Sequence, residues 1–278
     1  NWVERVFVVT KVSGADMAKL QLGELQFNYS MVGPVNAPVI VFSNSLGANL
    51  TMWEPQIEFF QKKFRVLTYD QRGHGETDVP EQSFQFDDLA YDVVRLINAL
   101  DLDKVHFVGL SMGGMTALGL AIKYPERLLS VTASNCVASF SPEARQAWTE
   151  RASSVSANGL EPILDATIQR WFTETMILNQ PDDIAGVRAM ILNTTVDGYV
   201  GCCGAIRDLD YMDGMASIGV KTLLIGGTYD LGTPPTEMKN MSSLIPGSKY
   251  VELDAAHVSN LEAPTEFNQT LDQFLSEV

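Results

Sequence analysis

Val105-His106-Phe107-Val108-Gly109-Leu110-Ser111-Met112-Gly113-Gly114 is the stretch on which the fold of this chain turns. Four apolar or aromatic positions run as a strand into Gly109, and the serine that follows has a glycine two residues to either side. Beyond it, Met112 to Tyr124 is small and apolar almost throughout and stops at Pro125, which predicts a buried helix. A strand that turns into a buried helix through G-x-S-x-G lifts the serine above the sheet. The glycines let strand and helix pack without a Cβ clash, and the Met112 N–H at the helix start points to where negative charge would develop.

Working outward, short β-branched or aliphatic runs recur, each bounded by turn residues. Val39 to Phe42 ends at Ser43-Asn44, Phe64 to Tyr69 ends at Asp70, and Thr222 to Ile225 ends at Gly226-Gly227. Leu128 to Thr132 and Lys249 to Leu253 read the same way. Near-continuous apolar runs fit strands buried on both faces of a parallel sheet. Between them, Phe86 to Leu100 places Leu89, Val93, Leu96, Ile97 and Leu100 on one stripe, with Asp87 and Asp88 favouring the helix dipole in its first turn. The alternation predicts an α/β fold: a mostly parallel central sheet flanked by helices with right-handed crossovers. From Ser141 to Gly204 the rhythm changes. Pro142 to Ala157, Glu161 to Phe172 and Asp182 to Asn193 read as helices with no strand between them, so a helical cap is expected over the carboxyl edge of the sheet. The expected division is a core over 17–137 and 215–278, a cap over 138–214, and an extension over 1–16 upstream of the fold, whose apolar run Val6 to Val9 is too short for a signal-peptide core.

The chain has 278 residues, 46% of them hydrophobic, enough for one large α/β domain without staples. Nineteen Lys+Arg against 34 Asp+Glu give a net charge of −15, which repels phosphate backbones and anionic lipid, so neither nucleic acid nor membrane is an expected partner. The same charge means that an anionic ligand needs a local positive pocket. Cys136, Cys202 and Cys203 have no spacing for a zinc site or a disulfide framework and read as reduced thiols of a cytoplasmic protein. No stretch is apolar for the ~18 residues a membrane span requires.

Ser111 needs a base, and there are three histidines. His106 lies within the strand that feeds the serine, and His74 lies in a tight loop far upstream. His257 follows the last strand and is the choice, because in the order Ser…Asp/Glu…His the base comes last. The orienting acid should end an intervening strand, as Asp230 does; Asp254 is the rival, with Asp208 and Asp210 weaker. A second oxyanion donor is expected from Ser43-Asn44-Ser45-Leu46-Gly47, with the Ser45 N–H facing the oxyanion beside that of Met112.

With Asp70-Gln71-Arg72-Gly73-His74-Gly75, these features resemble the α/β-hydrolase superfamily over essentially all of residues 20–278. Three stretches are similar to 3-oxoadipate enol-lactonases: Ser43 to Gly47 with Met52-Trp53, Gly109 to Met115, and Gly198-Tyr199-Val200-Gly201-Cys202-Cys203-Gly204-Ala205-Ile206-Arg207-Asp208. The stretch Cys136 to Ser141 departs from that family's pattern at the start of the cap. The resemblance implies a serine esterase of bacterial aromatic catabolism, opening a small anionic lactone in the β-ketoadipate pathway with no metal or organic cofactor. The substrate carboxylate then needs a cation. Arg207 inside the narrow motif is the leading candidate, against a structural pairing with Asp208 or Asp210; Arg145, Arg170 and Arg188 are alternatives. Trp148 and Trp171 line the pocket or form the cap core. A broader carboxylesterase or a cofactor-free perhydrolase could use the same triad, and a non-catalytic ligand sensor is the reading from another class.

Overall fold

The computed structural model describes residues 11–12 and 15–278. The strands are β1 (Lys11–Val12), β2 (Ala15–Leu22), β3 (Leu25–Val32), β4 (Val39–Ser43), β5 (Arg65–Tyr69), β6 (Val105–Leu110), β7 (Leu128–Ser134), β8 (Lys221–Gly227) and β9 (Lys249–Leu253). They form one sheet in the order β1-β2-β3-β5-β4-β6-β7-β8-β9. β1, β2 and β3 are antiparallel, and β3 runs antiparallel to β5; from β5 to β9 every pair is parallel. The expected extension over 1–16 lies mostly outside the described residues. Its described part, Lys11–Val12 and Ala15–Asp16, is paired strand, so β2 starts two residues before Met17.

The central strands bury both faces, and their side chains divide by the two-residue period of a strand. Val41, Leu67, Phe107, Val131 and Leu224 pack on one side, beneath the helices Phe86–Ala99, Met112–Lys123 and Pro235–Leu244. Ile40, Phe42, Val108, Leu223 and Ile225 face the other, against the helices Glu54–Phe60 and Pro264–Leu275. That is why these strands read as continuous apolar runs.

Between β7 and β8 the chain forms the helices Pro142–Asn158, Leu164–Trp171, Glu174–Asn179, Pro181–Leu192 and Val196–Arg207. The segments leaving and re-joining the sheet are tied by a bridge between Ser139 and Asp210 and by the Tyr211 N–H donating to the Ala138 carbonyl at 2.8 Å. The first cap helix starts where Ser141 accepts the Ala144 N–H and Pro142 occupies the first turn. The last, Val196–Arg207, is capped by Thr195 and meets the loop after β5 backbone to backbone: a Cβ on Gly198 would sit 1.9 Å from the Gly73 carbonyl oxygen. Among the described residues no helix is long and apolar enough to cross a membrane.

Candidate active site

Ser111 leaves β6 with φ 55° and ψ −112°, a backbone that L-residues rarely adopt. Its surroundings hold it there. The Ser111 N–H donates to the Ser134 carbonyl at 2.8 Å, and the Met115 N–H donates back to the Ser111 carbonyl at 2.9 Å. A Cβ on Gly109 would meet the Gly113 carbonyl oxygen at 1.9 Å, and one on Gly113 would meet that of Ser43 at 2.0 Å. Glycine at both positions is a steric requirement of the turn.

The loops after β8 and β9 bring the partners. Ser111 Oγ lies 2.9 Å from His257 Nε2, and His257 Nδ1 lies 2.8 Å from Asp230 Oδ2. With Nδ1–H donated to the carboxylate, Nε2 is left to accept the serine proton. Asp230 Oδ1 accepts the N–H groups of Gly232 and Thr233, both at 2.9 Å, and Oδ2 also accepts Thr233 Oγ1 at 2.6 Å and Asn135 Nδ2 at 3.0 Å. Burial pushes the Asp230 carboxyl up, but the neighbouring imidazole and these donors outweigh it and hold it down to about 2. The other acids stand elsewhere: Asp254 is exposed on a separate groove, Asp208 pairs with Arg207, and Asp210 is exposed.

The other two histidines are structural. His106 Nδ1 meets Ser130 Oγ at 2.8 Å, and its ring stands edge-on to Phe64. His74 Nε2 accepts the Gly47 N–H at 2.9 Å, bracing the loop after β4 from behind. On that loop the Ser45 N–H is already committed, donating to Met52 Sδ at 3.4 Å. The N–H of the next residue, Leu46, has no partner among the described residues, and Leu46 lines the cavity above Ser111. Ser45 lines the cavity too, but of the two N–H groups only that of Leu46 is left unengaged among the described residues, which makes it a candidate donor beside Met112.

That cavity lies between sheet and cap, as small-molecule sites commonly do at the meeting of two layers. Its wall is largely apolar, with Trp148 and Trp171 both contributing. Among the described residues two cations line it, Arg151 and Arg170, and no carboxylate does. Arg151 is held by neutral groups: Nε donates to Tyr199 OH at 2.7 Å, Nη2 donates to Thr167 Oγ1 at 2.9 Å, and the guanidinium lies 5.7 Å from the ring centroids of both Trp148 and Tyr199. Arg170 lines the cavity but is itself exposed, and it has neither a hydrogen-bond nor a salt-bridge partner among the described residues.

Arg207, expected to receive the substrate, is not there. It sits in the last turn of its helix, half exposed, with Nε and Nη2 on the two Asp208 oxygens at 2.7 and 2.6 Å. The adjacent carboxylate satisfies its fork, so its charge is spent on the cap surface. Arg145 is tied to the Phe140 and Leu209 carbonyls at the cap base, and Arg188 pairs with Asp165. Of the arginines weighed from sequence, only Arg170 reaches the cavity. Arg151 was missed, although it follows Trp148 by three positions on one helix face. Cys202 and Cys203 are buried free thiols on the helix Val196–Arg207.

The family model describing the α/β hydrolase fold matches residues 38–264. The chain belongs to the α/β-hydrolase family. It is 38% identical to 3-oxoadipate enol-lactonase 1 of Acinetobacter baylyi over 88% of this chain and 91% of that protein, and 36% identical to enol-lactonase 2 of the same organism over 90% and 92%. The crystal structure of the enol-lactonase from Burkholderia xenovorans LB400 superposes with a TM-score of 0.90 at 37% identity, covering 93% of this chain and 99% of that one. By these relationships the hydrolase is a carboxylic ester hydrolase.

Proposed function

We propose that this hydrolase opens the ring of 3-oxoadipate enol-lactone to give 3-oxoadipate, through an acyl-enzyme on Ser111. The observation that carries the reading is the wall of the cavity. In a protein with a net charge of −15, the space beside Ser111 is lined, among the described residues, by two arginines and no carboxylate. An anionic substrate is drawn to that spot and repelled by the rest of the surface. The similarity to enol-lactonases supports the same substrate.

In this reading His257 Nε2 takes the Ser111 proton as Oγ attacks the lactone carbonyl, while Asp230 fixes the imidazole tautomer and stabilises the imidazolium. The N–H groups of Met112 and Leu46 receive the oxyanion, each worth about 3 kcal/mol by analogy with other oxyanion holes. Collapse expels an enolate, a better leaving group than a simple alkoxide, which tautomerises to the ketone. Water activated by His257 then releases the acyl group. Arg151 and Arg170 hold the carboxylate throughout, and no step calls for a metal or organic cofactor.

Steady-state kinetics on the enol-lactone beside neutral p-nitrophenyl esters tests the assignment: the lactone should have the higher kcat/KM by orders of magnitude, and the reverse ranking makes the protein a general carboxylesterase. Asp230→Asn should lower kcat about 10⁴-fold on the lactone, as a wrong imidazole tautomer does elsewhere.

A further inference from the structure

We propose that the same site also hydrolyses open-chain half-esters of short dicarboxylic acids, compounds with an ester carbonyl at one end of the acyl chain and a free carboxylate at the other. The inference rests on the serine-hydrolase reading above and extends it from a single lactone to a substrate class.

The argument starts from what the cavity recognises. Polar groups gather at two places: Ser111 and His257 with the free N–H on Leu46, and the guanidinium groups of Arg151 and Arg170. The two threonine hydroxyls in the wall are engaged within the protein. Thr233 Oγ1 donates to Asp230, and Thr167 Oγ1 donates to the Ile163 carbonyl while accepting from Arg151. Apart from Ser45 and the Tyr199 hydroxyl, which accepts from Arg151, the remaining wall is apolar or aromatic. The site is thus built to take a carbonyl at the serine and an anion at the arginines, and neither feature requires the ester to lie in a ring.

Arg151 is suited to that discrimination. It lies against two aromatic rings and is bonded only to hydroxyls, so its orientation is set and its charge is not cancelled. Arg170, itself exposed, adds a second unpaired but more solvent-screened charge to the same wall. An anion placed against this pair relieves their mutual repulsion, which an uncharged chain of the same length cannot do.

The chemistry balances without a further reagent. Ser111 Oγ gives its proton to His257 and bonds to the ester carbon. The bond from that carbon to the alcohol oxygen breaks, and the alcohol departs with the proton from His257. Water repeats the sequence, releasing the dicarboxylic acid and restoring the serine.

The test compares mono-p-nitrophenyl glutarate with p-nitrophenyl pentanoate, which have the same number of acyl carbons. The free carboxylate of the first can speed its own breakdown, so rates are corrected with Ser111→Ala protein. Wild-type kcat/KM should favour the half-ester by roughly 10- to 100-fold, the range for one charge-assisted contact. That preference should shrink in high salt, fall toward unity in Arg151→Met, and fall partly in Arg170→Gln. Equal or greater turnover of the neutral ester by wild type overturns the proposal without recourse to any variant. Turnover of the enol-lactone without the half-ester rejects this inference and leaves the lactonase reading standing. Turnover of the half-ester without the lactone does the opposite.

Discussion

Asn135 follows β7 with φ 47°, fully buried, and each polar group of its side chain is used. Nδ2 donates to Asp230 Oδ2 at 3.0 Å and to the Ala256 carbonyl at 3.2 Å, and Oδ1 accepts Ser259 Oγ at 2.6 Å. One amide thus joins the acid's loop to the base's loop, and it bonds the same carboxylate oxygen that holds the imidazole. Asn135→Asp separates this role from a backbone one. Aspartate tolerates the left-handed conformation and keeps an acceptor for Ser259, but it places a carboxylate oxygen where a donor faced Asp230. Two carboxylates at that distance cannot both ionise freely. Turnover should fall roughly 10- to 100-fold with KM little changed, the cost of losing a hydrogen bond to a charged group. The kcat/KM profile against pH should change shape, because a second carboxyl now titrates together with Asp230. A wild-type pH profile in a folded Asn135→Asp protein would reduce Asn135 to a backbone anchor.

At the scale of elements, the helix Val196–Arg207 carries Tyr199, which holds Arg151, and it is set in place by the contact of Gly198 with Gly73. Gly73 has φ +76°, and the Gly198 Cα–H side faces its backbone directly, so neither partner can yield by turning a side chain away. Gly198→Ala should push this helix off the core, destabilise the fold by about 1–3 kcal/mol as overpacking does, and raise KM for the anionic substrate through Tyr199 and Arg151. Urea denaturation and steady-state kinetics check both, and an unchanged KM would uncouple the contact from the site. This contact also marks the limit of what could be read from sequence. The parallel strands and the serine turn were legible because burial on both faces and steric closeness leave one-dimensional marks: apolar runs and fixed glycines. Ser111, Asp230 and His257 could be placed because each ends a recognisable strand. β3 was missed because its Asn28 and Ser30 are buried polar residues, Asn28 being there to bond Asp70. The helix Val196–Arg207 was missed because Gly198 and Cys202 answer to the Gly73 loop rather than to an apolar stripe. Arg151 depends on where two cap helices cross, and the Leu46 N–H depends on which neighbour the Met52 sulfur engages. Neither is a local property of the chain.

Across the whole molecule, the net charge of −15 coexists with an acid-sensitive interior. Burial lowers His74 to about 4 and His106 to about 4, so both are neutral in the folded protein where an unfolded chain would hold them near 6.5. Their contribution to stability is complete above about 6.5 and is lost as the pH falls toward 4, because within that window the unfolded chain binds the protons and the folded one does not. For a shift of this size the loss is about 3 kcal/mol per histidine at the bottom of the window. Burial also pushes up the carboxyls of Asp70 and Asp92, whose titration acts in the opposite sense, so the histidine effect is best read as a difference. His106→Gln removes the titrating ring from β6 and keeps a group able to bond Ser130. The fall in urea midpoint between pH 7 and pH 4.5 should therefore be smaller in His106→Gln than in wild type. His74 should show its titration differently, through the catalytic loop: once protonated it can no longer accept the Gly47 N–H, and the turn bearing Leu46 loses its brace. Activity should thus fall on acidification in His106→Gln as it does in wild type, even as the stability loss is reduced. Identical pH–stability curves for the two proteins would show that the buried ring of His106 does not govern this window.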